Sequence, residues 1–151
     1  MDILRRNTDY ALRAMVHLAN HYQREPVSTR DLARLEDIPY QLACKLMQLL
    51  HKTRLVESSM GPNGGFGLTT EPASIHLIEI VEAIQGPLSL NRCMLRMGVC
   101  PRQKACAVRA KLSGLQDYVA DYLRGITLDE LLPGGATENK TNRKKTGRKK
   151  K

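Results

Sequence analysis

Ala11, Met15, Leu18 and Tyr22 recur at helical spacing, and Leu12, Val16 and Ala19 widen the stripe, which predicts a first helix over about Asp9–Tyr22. Thr8 stands where an N-cap belongs, and Asp9 faces the positive end of the helix. Glu25-Pro26 breaks the run. Ser28, with an acidic residue three positions on at Asp31, opens a short second helix over Thr29–Leu35. Glu36-Asp37-Ile38-Pro39 makes the turn into a third helix, from Pro39 or Tyr40 to Lys52, whose inward set is Ala43, Leu46, Met47 and Leu50.

Two short helices, a tight turn and a longer helix form a helix-turn-helix pattern. Leu55–Ser58 is extended, Gly61-Pro62-Asn63-Gly64-Gly65 turns, and Phe66–Thr69 returns as a second strand. A glycine-rich hairpin directly after the third helix is a wing. Pro72 begins a further helix that ends before Gly86-Pro87, with Ile75, Ile78, Val81 or Glu82, and Ile84 spaced for packing. Leu88–Lys104 is irregular and carries cysteines. A long helix follows over about Ala105–Arg124, in which Val108, Leu112, Leu115, Val119 and Tyr122 form a coiled-coil seam. A seam on a helix of about 30 Å calls for a partner, and a homodimer is expected over packing on the chain's own core. Thr127 and Glu130 box the start of a last short helix that stops at Pro133-Gly134-Gly135. The expected fold is mainly α with a small β-hairpin wing, a winged helix-turn-helix plus a long dimerisation helix. Residues 1–86 make the DNA-binding domain, 87–104 the cysteine loop, 105–132 the dimerisation helix and terminal short helix, and 133–151 a disordered basic tail.

A chain of 151 residues is one domain's worth, and 42% apolar with 26% charged residues fits a globular protein. With one Phe, five Tyr and no Trp, the core must be mainly aliphatic. No apolar run approaches a membrane span, and the start, MDILRRNTDYALR, does not read as a signal peptide. The net charge of +9 is concentrated at one end: residues 137–151 hold eight Lys/Arg against one Glu, which leaves +2 for residues 1–136. The tail can attract polyanions or simply solubilise the chain. No phosphate loop or nucleophile–base grouping is present, so neither an enzyme nor a small-molecule substrate is expected.

A groove-reading helix must expose hydrogen-bonding side chains, and Tyr40, Gln41, Lys45 and Gln48 meet that need on the third helix. Arg30, at the front of the second, is placed for the DNA backbone. Asn63, Gly64 and Gly65 let the wing's main chain approach a minor groove or its phosphates. Any one of these is also what the wet side of a helix looks like; the combination points to double-stranded DNA.

Of the four cysteines, Cys93, Cys100 and Cys106 fall within fourteen residues as C-x6-C-x5-C. The spacing lacks the CxxC pair of a zinc knuckle. Three soft donors in one loop suit zinc, copper(I) or an iron–sulfur cluster. A disulfide fits an odd triplet poorly, and separate burial is the plain alternative. Arg92, Arg96, Arg102 and Lys104 surround the thiols. Cys44 reads as partly buried filler, and His17, His21, His51 and His76 as surface or boundary residues. An electron-transfer protein and a dimer whose thiols hold zinc or nothing remain open.

NTDYALRAMVHLA, then VSTRDLARLEDIPYQLACKLMQLLHKTRLVESSMGPNGGFGL, then SIHLIEIVEAIQGPL with the spaced cysteines, resemble the IscR/NsrR-type winged-helix transcription regulators over about residues 1–132. The resemblance implies a cytoplasmic homodimer with crossing long helices, a roughly palindromic AT-rich operator, and an iron–sulfur cluster, four-iron four-sulfur in preference to two-iron two-sulfur. It implies a repressor that senses nitric oxide, redox state or iron and cluster status. The implied ligands are Cys93, Cys100, Cys106 and, from the other subunit, Asp9. Arg109 stands where one branch has a ligating histidine, and Arg13 where a two-iron variant has one. Met60 stands where the wing often carries Arg, and Arg54 where a turn glycine is usual.

Overall fold

The computed structural model describes residues 3–91, 94 and 100–135. The expected disordered tail lies outside them except for 133–135, as does Cys93 within the cysteine loop.

Helices α1 (Arg6–Asn20), α2 (Thr29–Leu35) and α3 (Tyr40–Lys52) lead into a two-stranded antiparallel hairpin, β1 (Val56–Ser59) and β2 (Gly65–Leu68). Helix α4 (Leu77–Gln85) follows, then α5 (Ala107–Arg124) and a closing 3-10 turn over Leu128–Leu131. The mainly α fold with a hairpin wing is as expected. Helix α2 and its cap match the sequence reading: the Ser28 hydroxyl accepts the Asp31 N–H at 3.1 Å and donates to the Asp31 carboxylate at 2.7 Å. The inward set of α3 is fully buried, with Ala43, Leu46, Met47 and Leu50 at 1% exposure or less.

Two left-handed residues shape the helix-turn-helix. Asp37 (φ 51°) ends α2, and the Ile38 N–H closes back on Ala33 O at 2.9 Å. Arg54 (φ 62°) ends α3, with its own N–H on His51 O and the Leu55 N–H on Leu50 O. Both are Schellman closures, which glycine usually makes. The absent glycine at position 54 is therefore met by a strained arginine, not by a different turn.

Besides α1 ending at Asn20 rather than Tyr22 and a one-residue shift in each strand, three boundaries differ from the sequence reading. Helix α1 begins at Arg6, so Thr8 is no cap: it is fully buried, and its hydroxyl donates to Gln85 Oε1 at 2.7 Å. The helix expected from Pro72 is two pieces, a 3-10 turn over Pro72–Ser74 and α4. Between them Ile75 and His76 stay extended because the Leu77 N–H bonds Ile126 O at 3.0 Å and Ile75 O accepts the Leu128 N–H at 2.8 Å. This long-range pairing outweighs local helix propensity, and it buries Ile80, which the spacing passed over, while leaving Glu82 exposed. Helix α5 starts at Ala107 rather than Ala105, after a 3-10 turn over Gln103–Ala105.

Packing divides into two clusters. Helix α1 (Ala11, Ala14, Met15, Leu18) meets the inner faces of α2 and α3, the strand residues Val56 and Leu68, and Ile80. A smaller cluster joins Leu77, Ile78, Val81 and Leu88 to Ala120 and Leu123 of α5. Helix α4 thus faces both. Among the described residues α5 is buried at Ala120 and Leu123; of the expected seam Val108 (65% exposed), Leu115 (49%) and Tyr122 (51%) stand open beside Tyr118 (69%), while Leu112 and Val119 are half-buried.

Arg54→Gly should raise stability by about 1 kcal/mol, since glycine adopts this backbone region without the Cβ clash. Gly65→Ala should lower it by roughly 1–3 kcal/mol, because a Cβ there falls against the Val27 carbonyl. Thermal unfolding of the two variants should move in opposite directions.

Candidate nucleic-acid interface and cysteine loop

Burial of one face of α3 fixes what the opposite face shows. Tyr40, Gln41, Lys45 and Gln48 are all exposed, on the side away from Ala43, Leu46, Met47 and Leu50. Arg30 is exposed in the first turn of α2, its guanidinium 6.0 Å from the centre of the Tyr40 ring. The front of α2 and the front of α3 therefore form one surface. The Tyr40 hydroxyl is held above its ordinary value of 10.0, first by the Cys44 thiol, one turn on. Cys44 is half-buried, as expected, but its influence on Tyr40 went unseen; the i, i+4 spacing of the two is the signal for it. The face presents donors, acceptors and cations together, which is what base edges and phosphates require.

The hairpin is fixed to that surface. Val27 and Phe66 exchange both backbone hydrogen bonds, each at 2.9 Å, directly before the Ser28 cap of α2. The Phe66 ring meets His51 of α3 edge-on, 6.4 Å between centroids. Gly64 and Gly65 are half-buried and each lacks room for a Cβ, against Ser59 O and Val27 O respectively, so both glycines are demanded by the fold of the wing. Asn63 is exposed nearer the tip.

The cysteine segment leaves α4 at Gly86 (φ 79°) and re-enters helix at α5. Cys106 is the N-cap of α5: its sulfur accepts the Arg109 N–H at 3.4 Å and lies at the positive end of the helix. Negative charge is favoured at that end of a helix. Cys100 is half-buried, and both thiols are free. Asp9 is exposed in the first turn of α1, and among the described residues only Arg13 pairs with its carboxylate, at 3.8 Å. Among the described residues no group of three or more His, Cys, Asp or Glu could hold a metal ion. The histidines pair with other groups: His17 Nδ1 lies 2.8 Å from Glu36, and its ring stacks on His21 at 4.7 Å.

The start of α1 is tied to the exit of α4. Gln85 Oε1 accepts from the Arg5 N–H and the Thr8 hydroxyl, and Gln85 Nε2 donates to Ile3 O. Gln85 is the last residue before Gly86, so the first turn of α1, which carries Asp9, is hydrogen-bonded to the entrance of the cysteine segment.

Residues 4–134 match the model of the Rrf2 family, described as iron-dependent transcriptional regulators. The HTH-type transcriptional regulator IscR of Pectobacterium carotovorum subsp. carotovorum is 32% identical over 123 residues, covering 82% of this chain and 74% of that protein. Of solved structures, CymR (YrzC), the global cysteine regulator of B. subtilis, is similar with a TM-score of 0.72 at 25% identity, over 91% of this chain and 100% of that one. T. potens IscR shares the fold with a TM-score of 0.67 at 24% identity, over 83% of this chain and 82% of that one.

The cap beside Arg30 can be followed by titration. The Ser28 hydroxyl holds the Asp31 carboxyl below its ordinary 3.8, with Arg34 adding to the effect. A depressed folded-state value means that the stabilisation is present above pH ~4 and lost as pH falls through the folded value. In Ser28→Ala the Asp31 carboxyl should titrate higher by NMR, and the variant should lose about 1 kcal/mol of stability at neutral pH.

Proposed function

The chain belongs to the Rrf2 family of DNA-binding transcription regulators and is not an enzyme, and on that premise we propose that it is a homodimeric, iron–sulfur-dependent repressor of a palindromic operator. The observation that carries the DNA half is the continuous polar face of Arg30, Tyr40, Gln41, Lys45 and Gln48 beside a hairpin bonded to the same helix pair. In a dimer two such faces meet successive turns of duplex, about 34–36 Å apart. The dimer rests on the open stripe of Val108, Leu115, Tyr118 and Tyr122, too large an apolar row for a helix held at one end to leave in water. No described helix is long and apolar enough to cross a membrane, and a cytoplasmic location is part of the proposal.

The sensing half rests on the donor set. Cys93, Cys100, Cys106 and Asp9 of the partner subunit would hold the cluster, four-iron four-sulfur before two-iron two-sulfur. The Cys106 sulfur at a helix N-terminus and the exposed, weakly paired Asp9 fit those roles. When bound, a cluster supplies an iron with a hard carboxylate ligand, the corner open to nitric oxide, oxygen or iron loss. The chain's own part is mechanical. Asp9 lies one residue after Thr8, which Gln85 grips. Freeing Asp9 would let the start of α1 and the exit of α4 shift together, and α1 packs through Met15 and Leu18 on the core behind α3.

Anaerobic preparation should give a coloured protein with about four iron and four acid-labile sulfide per chain. Asp9→Ala should shorten cluster lifetime and weaken the cluster dependence of operator binding. A colourless protein with one zinc, regulated normally after Cys100→Ser and Cys106→Ser, would overturn the cluster. Leu115→Glu should yield a monomer by sedimentation and weaken operator binding roughly a hundredfold.

A further inference from the structure

The wing carries no cation. From Val56 to Leu68 the only charged residue is Glu57, and at the apex stands Met60, 99% exposed, the most open large apolar side chain among the described residues. Glu57 is exposed on β1, so phosphates repel the shaft of the hairpin. A wing with this composition gains nothing from backbone charge. Yet the hairpin is held rigidly. Both Val27–Phe66 hydrogen bonds fix its base beside Arg30, Gly64 N–H closes on Gly61 O at 2.9 Å, and Gly61 takes φ 112°. The fold thus carries an unbranched, polarisable thioether at the apex of a hairpin whose base is fixed beside the reading face, beyond the single negative charge on its shaft.

We infer that Met60 is a specificity-determining residue, an apolar wedge that enters the minor groove beside each half-site. The groove's sugar walls are apolar, and inserted Met, Leu or Phe side chains unstack a base step. The steps that yield most readily are pyrimidine–purine, above all TA, and a guanine amino group on the groove floor obstructs entry. Met60 therefore selects deformable A·T-rich flanks by shape, without hydrogen bonds and without counterion release. The inference rests on the operator-binding reading but not on the cluster.

The test is parallel enrichment of a duplex pool with a randomised core by the wild-type protein and Met60→Ala. An exposed side chain can be truncated without loss of fold, which equal thermal unfolding verifies. Both proteins should enrich the same half-site core, and only the wild type should enrich TA-containing flanks. On a wild-type-selected duplex, Met60→Ala should bind roughly tenfold more weakly with an unchanged dependence of log affinity on log salt. Met60→Arg should steepen that dependence by about one unit per wing. Identical flanks and affinities for wild type and Met60→Ala, or a shallower salt dependence in Met60→Ala, would overturn the wedge while leaving operator binding intact. A wild-type protein that enriches no sequence would overturn both.

Discussion

Val27 and Phe66 exchange both of their backbone hydrogen bonds, and on this pair depends whether the hairpin and the helix-turn-helix act as one surface. A two-stranded hairpin is marginal on its own in water. Here it is paired at its base to the residue that precedes the α2 cap, and Val56 and Leu68 are buried beneath it. Each hydrogen bond contributes only about 1 kcal/mol net, but their geometric effect is larger. They set where the apex stands relative to Arg30 and Tyr40. Gly65 is the condition for the pairing, since any side chain there displaces the Val27 carbonyl. One small residue thus governs the reach of the whole interface.

The second organising feature is the position of α4. Its two faces serve different clusters: Ile80 joins the core under the reading helix, while Ile78 and Val81 hold Ala120 and Leu123 of α5. Its end carries Gln85, which binds the start of α1. Helix α4 therefore joins α5 to α1 through close packing and hydrogen bonds, and close-packed interiors transmit strain rather than absorb it.

Much of this was legible in the residues. The Ser28 cap, the inward set of α3, the wing and the Thr127–Glu130 box are local patterns, and local physics settles them. Thr8 misled because its role is decided by Gln85, 77 positions away. The helix expected from Pro72 split because Ile75 and Leu77 find partners at Leu128 and Ile126, pairs that no window along the chain contains. The strain at Arg54 could be anticipated from a missing glycine, since the αL closure is a local demand. The candidate site divides in the same way. The reading face follows from helical periodicity. Spacing alone does not settle whether the cysteines converge.

Charge distribution completes the picture of how such a chain meets DNA. Residues 1–136 carry a net +2 and residues 137–151 a net +7, so the long-range attraction to a polyanion resides mainly in the tail. Attraction from a tail is indifferent to sequence and concentrates the protein on any duplex. The folded part, with little net charge, adds less to that attraction. Discrimination is left to short-range terms, the amide and cationic side chains on α3 and an uncharged wing apex, because these are the contacts that depend on which base pair stands opposite them.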